Sequence, residues 1–307
     1  MADDGGEAGG PTRRAGLRTL AAAALAVPLL GALPGSGARQ GRVRSAAAVP
    51  AVTVMTFNLR FAGDKRPNSW AQRRPVMRDL LRAAAPHVMG TQEGVPPQLA
   101  DIESDLGPHY DRIGTGRGGG DEESMAVFFD TRRLEPVAHE HFWLSDTPRV
   151  RGSNTWGAKY PRMVTWVRFR DLAAGGRPFC VLNTHLDNGS SYARERAAEM
   201  IVARLGRFAA DLPVLVTGDF NTIAHHSPVY DRLLASGLVD TWDTAARRGP
   251  AFATYHAFRG PVPDGDRIDW ILASPQVRVE RAWVDTYHAG GQYPSDHLPA
   301  CASLRVS

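Results

Sequence analysis

Polar side chains of the types that hold metal ions and move protons follow four apolar runs of the chain. Runs rich in β-branched and aromatic residues predict strands, and a polar residue after each would lie at a sheet edge. Carboxylate and amide oxygens bind hard divalent cations, a carboxylate can activate water, and histidine can donate to developing negative charge. Such groups suit a metal-assisted attack of water on a phosphorus ester. They are Asn58, Glu93, His185, Asp219 and Asn221, after strands predicted at 52–57, 87–92, 179–184 and 214–218.

Further polar residues lie near the C-terminal end of the chain. Asp296 and His297 precede a strand predicted at 298–306, and Asp269 lies in a strand predicted at 268–272. If the last strand runs antiparallel to the earlier ones, its start lies at the same edge as their ends. One rim of a sandwich would then collect all of these side chains. Asp269 is suited to orient the His297 ring and to favour its charged form.

Each motif alone has an ordinary interpretation, such as a turn or a surface ion pair. Together, and in this order, they resemble the endonuclease/exonuclease/phosphatase superfamily, which has a deoxyribonuclease-I-like fold. The chain resembles a secreted, bacterial-type member of that superfamily. The motifs are Thr56-Phe57-Asn58, Gln92-Glu93, Asn183-Thr184-His185-Leu186, Gly218-Asp219-Phe220-Asn221, Arg267-Ile268-Asp269-Trp270 and Ser295-Asp296-His297-Leu298-Pro299. The resemblance implies an α/β fold, a four-layer α/β sandwich of two packed, mostly antiparallel β-sheets flanked by helices. It also implies hydrolysis of phosphomonoesters or phosphodiesters without a covalent intermediate.

The resemblance implies a metal site made of Glu93, Asn58 and Asp296. Glu93 corresponds to the principal metal carboxylate, and the other two help to hold the ion or its waters. The implied ion is Mg²⁺, with Mn²⁺ or Ca²⁺ as alternatives. Asp219 resembles the water-activating acid, and Asn221 would position that water or the phosphate.

The resemblance also implies a set of donors to the phosphate. His297 would stabilise the phosphoryl oxygens, with Asp269 behind it. His185, with Asn183 close by, matches an Asn-x-His element of the phosphatase-like and deoxyribonuclease-like branches that the abasic-site repair branch lacks, so that branch is disfavoured. Arg162 lies where the branches differ most. It either contacts the substrate phosphate, since arginine suits oxyanions, or forms an ion pair at the end of a strand.

Residues 1–48 have the composition of an export signal and linker. Arg13 and Arg14 precede an apolar run at 20–33, and small residues follow that run. This order predicts a twin-arginine signal peptide, and hence a secreted, extracellular protein. The run is shorter than the roughly 20 residues that span a bilayer, so stable membrane insertion is disfavoured. Residues 49–307 are predicted to form one domain.

The distribution of charge bears on the substrate. The formal net charge is +4, but residues 1–48 hold six of the 36 basic and three of the 32 acidic residues, which leaves 30 and 29. A nearly neutral body disfavours tight binding of nucleic acid, which needs a dense basic surface. We therefore expect a small or exposed phosphoester as substrate. The alternatives are a secreted endonuclease acting on DNA or RNA, then a sphingomyelinase-like lipid phosphodiesterase, then a non-catalytic binding module.

Only two cysteines, Cys180 and Cys301, occur in the chain. They provide neither a disulfide framework nor a cysteine-rich zinc site. They either form one disulfide or are buried as separate thiols.

The remaining apolar patterns predict an alternation of short strands with a few helices. Further strands are predicted at 125–129, 163–169 and 277–284, and helices at 76–85, 97–106, 192–209 and 228–235.

Overall fold

The strands and helices that the apolar runs predict are present, with shifts at their ends. The computed structural model describes residues 50–118 and 122–306, and the predicted signal peptide lies outside the described residues. The strands are β1 (Val52–Asn58), β2 (Val88–Gly94), β3 (Tyr110–Gly116), β4 (Ser124–Asp130), β5 (Leu134–Trp143), β6 (Met163–Asp171), β7 (Arg177–His185), β8 (Val214–Asp219), β9 (Val239–Asp240), β10 (Arg247–Arg248), β11 (Asp269–Ala273), β12 (Arg278–Val284) and β13 (Ala300–Arg305). The helices are α1 (Trp70–Ala84), α2 (Pro96–Leu106), α3 (Ser191–Leu205), α4 (Pro228–Ala235) and α5 (Thr241–Thr244), with a 3₁₀ turn at Leu172–Ala174.

The domain contains two mixed β-sheets with a similar arrangement of central strands. The first has the strand order β10-β12-β13-β1-β2-β4-β3, and the second has the order β5-β6-β7-β8-β11-β9. Each has a parallel pair near its centre, β1 with β2 and β7 with β8, flanked by antiparallel neighbours. Parallel neighbours need a crossover connection, and α1 and α3 provide it. The carboxyl ends of both parallel pairs therefore carry the polar residues that follow these strands.

The two sheets pack face to face through a buried apolar layer. Val54, Val88 and Phe129 of the first sheet and Val181 and Leu215 of the second belong to it. A second apolar cluster joins the first sheet to α1 and α2, and a third joins the second sheet to α3 and α4. Burial on both faces explains why the central strands are continuous apolar runs. The order of layers is helix, sheet, sheet, helix, which confirms the predicted four-layer sandwich.

The sequence patterns missed β3, β5, β9 and β10, which lie at sheet edges. Most side chains of β5 are exposed or half-buried, and its pairing with β6 shifts in register between Pro136 and Ala138. An edge strand pairs on one side only and tolerates polar residues and proline. The apolar run that marks a central strand is therefore absent from β5.

Helix α1 begins at Trp70, whereas the sequence predicts a start at Val76 after a proline. Pro75 lies inside the helix, although proline removes one backbone donor and usually ends a helix. The turn before it is anchored by Arg73, whose fully buried side chain donates to five backbone carbonyl groups outside the helix. The start of this helix is therefore stabilised by hydrogen bonds to other segments of the chain, and no local sequence pattern marks it.

The cysteines are free, buried thiols. Cys180 packs in the cluster under α3 and α4, and Cys301 in the cluster under α1 and α2. Of the two alternatives, the separate thiols are therefore correct. Within residues 50–118 and 122–306, no helix combines the length and the apolar character that crossing a membrane would require.

Candidate active site

Strand pairing brings the predicted site residues to one rim of the sandwich. His185, the last residue of β7, pairs with Asp219, the last of β8, and Asp219 pairs with Asp269, the first of β11. In the other sheet, Asn58 ends β1, and β13 runs antiparallel to β1. The residues that precede β13 therefore lie at the same end as Asn58, as the sequence predicts.

A cavity of about 420 Å³ opens at this rim. The predicted residues Asn58, Asn183 and Asp269 are buried and lie behind its wall. The other predicted residues line it: Glu93, Arg162, His185, Asp219, Asn221, Asp296 and His297. Residues that the motifs did not identify also line it, among them Arg60, Phe61, Arg117, Lys159, Tyr160 and Tyr255.

Asn58 links two carboxylates of the rim. Its Nδ2 donates to Glu93 Oε1 at 3.0 Å and to Asp219 Oδ2 at 2.9 Å. Its Oδ1 accepts a hydrogen bond from the Arg60 backbone N–H at 3.0 Å. The amide oxygen is engaged by the backbone, and the nitrogen that faces the carboxylates has no lone pair for a cation. In this arrangement Asn58 positions Glu93 and Asp219, and its predicted part in holding the metal or its waters stays a prediction, because the amide oxygen keeps a second lone pair.

Glu93 has an uncommon backbone conformation. Its φ is 61°, in the left-handed region, where the pairing of β2 with β4 is irregular. Its Oε2 accepts a hydrogen bond from the Phe61 backbone N–H at 3.3 Å. A left-handed conformation at a non-glycine residue costs about 1–3 kcal/mol and is concentrated at functional sites. This irregularity lies within the last residues of β2, and the Glu93 side chain lines the cavity.

Asp296 is the second carboxylate on this side of the cavity. The preceding Ser295 Oγ donates to the backbone oxygen of Asn58 at 2.6 Å, which ties the segment before β13 to the end of β1. Burial raises the pKa of Asp296, His297 opposes this rise, and the charge of Glu93 adds to it. Two carboxylates that repel each other across a cavity favour a cation between them.

His297 and Asp269 form a buried pair. His297 Nδ1 donates to Asp269 Oδ2 at 2.9 Å, and Nε2 lies 3.8 Å from Asp219 Oδ2. Burial alone would lower the pKa of His297, but the charge and hydrogen bond of Asp269 raise it to about 10. The imidazole is therefore cationic at neutral pH, and its Nε2 N–H is directed to the cavity side of the pair.

Asp219 lies at the centre of these contacts. Burial and the charge of Asp269 raise the pKa of Asp219 to about 7, against the opposing effects of His297 and Asn58. The Asn221 backbone N–H donates to Asp219 Oδ1 at 2.9 Å. Asn221 has a φ of 49°, a left-handed conformation that asparagine adopts more readily than most residues. A carboxylate with such a pKa suits a general base at neutral pH.

His185 is the second histidine of the rim. Its Nε2 lies 3.4 Å from Asp219 Oδ2, and its Nδ1 has no hydrogen-bond partner in the part of the chain that the structure describes. Burial lowers the pKa of His185 well below its usual range, and the charges of Arg162 and His297 lower it further. A neutral and a cationic imidazole therefore both lie beside Asp219.

Asn183 lies between the sheets and not in the cavity. Its Nδ2 donates to the backbone oxygens of Thr91 at 2.8 Å and Ala126 at 3.0 Å. Its Oδ1 accepts a hydrogen bond from Gln92 Nε2 at 2.7 Å. Both amide groups are engaged by the opposite sheet, so this position does not fit the predicted donation to a phosphoryl group. Asn183 instead fixes β7 against β2.

Arg162 is buried in the cavity wall with unpaired donors. Its Nε lies 3.5 Å from Asp187 Oδ2, yet neither Nε nor Nη1 has a hydrogen-bond partner among the described residues. Burial lowers the pKa of Arg162, and the neighbouring Arg117 lowers it further. A buried guanidinium without acceptors is costly unless a ligand completes its hydrogen bonds. Both alternatives for Arg162 thus have a basis, because it contacts Asp187 and also has donors that an anion in the cavity could accept from.

Two cations that the motifs missed lie with Arg162 around one aromatic ring. The distances to the Tyr160 ring centroid are 4.4 Å from Arg117 Cζ, 5.3 Å from Lys159 Nζ and 5.8 Å from Arg162 Cζ. We call Arg117, Lys159 and Arg162 the cationic wall. Lys159 and Tyr160 precede Arg162 in the sequence with Pro161 between, whereas Arg117 lies after β3 and no local pattern indicates it.

Most of the chain matches a known family. The model of the Endonuclease/Exonuclease/phosphatase family matches residues 55–297, from β1 to the His297 of the rim. The chain belongs to the endonuclease/exonuclease/phosphatase family. All of the predicted site residues lie within this match.

Solved structures of family members resemble this chain along most of its length. A mannosyl-6-phosphatase of Bacteroides thetaiotaomicron VPI-5482 is 33% identical with a TM-score of 0.76, covering 83% of this chain and 100% of that chain. An endonuclease/exonuclease/phosphatase of Bacteroides vulgatus is 30% identical with a TM-score of 0.78, covering 84% and 99%. Protein angel of Drosophila melanogaster is 25% identical over 180 residues, 56% of this chain and 49% of that protein. The chain thus spans about half the length of this curated relative.

In this family member, Arg73 holds together the loops that carry the site. Its Nη1 donates to the backbone oxygens of Leu59 and Pro294, each at 2.8 Å, and its Nη2 donates to those of Arg60 at 2.9 Å and Phe61 at 3.1 Å. Burial lowers the pKa of Arg73 to about 10, so the side chain stays charged at neutral pH. The segment after β1 and the segment before β13 are therefore fixed to one side chain.

A divalent cation, as in the family, finds a suitable set of donors in the cavity. Glu93 and Asp296 both line it, and they offer the oxygen ligands that hard cations prefer. Ligand atoms of Asp219, Asp269 and His297 also lie within 4.8 Å of one another. In that trio Asp269 is bound to a cationic imidazole, which has no free lone pair for a metal. Glu93 and Asp296 therefore fit a hard cation better than the trio does.

Proposed function

We propose that the protein is a divalent-metal-dependent phosphoesterase that hydrolyses a small phosphomonoester, with a phosphorylated sugar as the favoured substrate. The observation that carries the proposal is the buried guanidinium of Arg162, whose Nε and Nη1 have no hydrogen-bond partner among the described residues, in the same cavity as Asp219 and His297. Arginine binds phosphate oxygens through paired N–H donors. A phosphate held there lies beside a carboxylate that can accept a proton and an imidazolium that can donate a hydrogen bond.

The residues of the rim support a direct attack by water. Asp219 accepts a proton from a water aligned with phosphorus, while Asn58 and Asn221 each donate to one of its oxygens. His297 donates Nε2–H to a phosphoryl oxygen, and neutral His185 lies beside the same group. The water oxygen bonds to phosphorus as the ester oxygen leaves with its electron pair, so no enzyme–phosphate bond forms.

We assign the cation to Glu93 and Asp296. When bound, Mg²⁺, or Mn²⁺ or Ca²⁺ in its place, polarises the phosphoryl oxygens and neutralises charge on the leaving oxygen. The cationic wall supplies further positive charge from the protein itself. A terminal phosphate carries more negative charge than a diester and gains more from such a wall, which favours a monoester.

Size and charge favour a small substrate over a polymer. A cavity of about 420 Å³ lies in the range of small-molecule sites. The nearly neutral body gives a weak long-range field, whereas duplex DNA demands many phosphate contacts. The relative from Bacteroides thetaiotaomicron, 33% identical, is a mannosyl-6-phosphatase. Its activity supports a phosphorylated sugar as the substrate class.

A panel of substrates tests the proposed function. Mannose 6-phosphate, other sugar phosphates, a generic diester, sphingomyelin, DNA and RNA are compared in Mg²⁺ with and without a chelator. We expect chelator-sensitive release of phosphate, fastest from a sugar monophosphate, with kcat/KM that varies little with salt. Faster cleavage of DNA, with a steep fall as salt rises, would make the protein a nuclease instead. Absence of turnover on every substrate would leave the non-catalytic binding module.

The Asp219→Ala variant assigns any activity to this cavity. We expect kcat to fall by about 10³-fold or more, because the proton acceptor is lost. Thermal unfolding serves as the control, since removing a functional carboxylate from the rim leaves the apolar layers intact. Full activity in this variant would contradict the role of Asp219.

We also propose that the protein is secreted through the twin-arginine route. The supporting observation is the position of Arg13 and Arg14 before the apolar run at 20–33. This route distinguishes a guanidinium pair from other positive charge. Replacing both arginines with lysine is expected to keep the protein inside the cell. Unchanged secretion of the double variant would contradict the proposal.

A further inference from the structure

A second cavity lies beside the active-site cavity and shares part of its wall. Its volume is about 380 Å³, and Arg60 and Phe61 line both cavities. The second cavity is also lined by Lys65, Arg66 and Phe258. The described residues that line it include three cations and two aromatic rings but no acid. It therefore differs from the active-site cavity, where carboxylates balance the cations.

Two of these cations have no partner in the part of the chain that the structure describes. Lys65 and Arg66 are exposed and form neither an ion pair nor a side-chain hydrogen bond there. Arg60 makes only a long contact of 3.8 Å with Asp296, and its guanidinium lies 4.5 Å from the Phe61 ring centroid. Cations gathered around a concave surface without acids attract an anion.

The walls of the second cavity are held in place. Asn68, which also lines it, accepts hydrogen bonds at 3.0 Å from Gln292 Nε2 and from Arg73 Nε. On the other side, Ala257 and Phe258 have φ values of 50° and 60°. Consecutive left-handed residues without glycine are strained, and strain of this kind is concentrated at ligand clamps. The Phe258 ring is thus presented by a constrained turn.

We propose that the second cavity binds the leaving group of the substrate, and that this leaving group carries a second anionic group, a phosphate or a carboxylate. The inference rests on the proposed function. With the scissile phosphate beside Asp219 and His297, a sugar ring crosses the shared wall at Phe61. The aromatic rings contact the apolar face of the sugar, and Lys65 and Arg66 bind the second anion. The favoured substrate class is a hexose with two anionic substituents.

The test compares two substrates that differ only in the second anion. Phosphate release is measured from glucose 1,6-bisphosphate and from glucose 6-phosphate, and the quantity of interest is the ratio of their kcat/KM values. Since a hydrogen bond to a charged group favours the bound state appreciably, we expect the bisphosphate to be preferred by about tenfold or more. In the double variant K65A/R66A we expect this ratio to fall to about one.

A matched control uses another exposed pair of arginines. The variant R247A/R248A removes two positive charges from β10, outside both cavities, and is expected to keep the wild-type ratio. The variant K65E is expected to lower the ratio below that of wild type, because it replaces a cation by an acid at the second anion. A wild-type ratio near one, or a ratio that K65A/R66A leaves unchanged, would overturn the inference while the proposed function stands. If no sugar phosphate is hydrolysed in Mg²⁺, the proposed function itself fails, and the inference with it.

Discussion

Asp269 Oδ2 accepts a hydrogen bond of 2.9 Å from His297 Nδ1, and both side chains are buried. Only the histidine reaches the cavity, because Asp269 lies behind its wall. The carboxylate fixes the orientation of the ring and keeps it charged, whereas the ring provides the donor. In the proposed mechanism Asp269 therefore positions the ring, and His297 donates the hydrogen bond.

Substitutions in this pair should separate positioning from chemistry. We expect Asp269→Asn to lower kcat by about 10- to 100-fold, as loss of an orienting partner does. His297→Ala should lower kcat by about 10²- to 10⁴-fold, since the donor itself is lost. Steady-state kinetics on one sugar phosphate, with thermal unfolding as the control for folding, measure both. A larger loss in Asp269→Asn than in His297→Ala would contradict these roles.

Arg162 tests whether the cationic wall binds phosphate. We expect Arg162→Lys to lower kcat/KM by about 10²-fold, because lysine cannot present two parallel donors to a phosphate. Asp187→Asn should raise KM by a smaller factor, since Asp187 lies beside the guanidinium, and its carboxylate also accepts backbone hydrogen bonds from Lys159 and Ser190. Arg170→Lys is the matched control, because Arg170 forms an exposed pair with Glu135 at 3.4 Å. Wild-type kinetics in Arg162→Lys would show that Arg162 forms its ion pair with Asp187 but does not bind the phosphate.

Arg73 tests the connection between stability and activity. We expect Arg73→Met to reduce the free energy of unfolding by about 3–5 kcal/mol, because buried carbonyl groups lose their donors. Arg74→Met is the control from the next position. Arg74 forms half-exposed ion pairs of 2.6 Å with Asp101 and 2.9 Å with Asp105, and such pairs contribute about 1 kcal/mol or less.

Urea unfolding of both variants measures this difference, and kcat/KM is measured on the folded protein. Arg73→Met should also lose activity, since a displacement of about 1 Å in a site costs about 10²-fold. Equal stability of the two variants would show that the five hydrogen bonds of Arg73 contribute no more than a surface ion pair.

The rim of the sandwich could be predicted from sequence because strand ends and topology determine it. Once β13 is antiparallel to β1, the positions of Asn58 and His297 follow. The depth of a side chain does not follow from its strand. Asn183 precedes His185 by two residues, so it shares the same face of β7 but lies about 6–7 Å farther from the rim. It therefore reaches the opposite sheet, whereas His185 reaches the cavity.

Residues supplied by loops and by buried polar contacts could not be predicted. Arg117 follows an edge strand that the sequence patterns missed, and Arg73 stands in a helix turn before a proline. No periodic sequence pattern identifies either residue, because the groups that contact them are distant in sequence. Arg73, for example, contacts Pro294 through a hydrogen bond that spans most of the domain. Such contacts exist only once the fold has formed.

His87 makes the stability of the domain depend on pH. Its Nδ1 accepts a hydrogen bond of 2.9 Å from the Thr53 backbone N–H, where β2 begins beside β1. Burial lowers the pKa of His87, and the charge of Arg133 lowers it further. The pKa is therefore lower in the folded protein than in the unfolded chain, where it is about 6.5. As pH falls through that value the unfolded chain takes up a proton first, so the free energy of unfolding should decrease.

The variant His87→Asn separates this contribution from the titration of carboxylates. Asparagine Oδ1 can accept from the Thr53 N–H but does not titrate, so wild type should lose stability relative to the variant between about pH 7.5 and 5.5. Urea unfolding of both proteins across this range measures the difference, with the exposed His226→Asn as the control. A difference between wild type and His87→Asn that is constant with pH would contradict the prediction. The direction follows from the acceptor role of Nδ1, because a protonated ring cannot accept the Thr53 hydrogen bond and the folded state must either break it or exclude the proton.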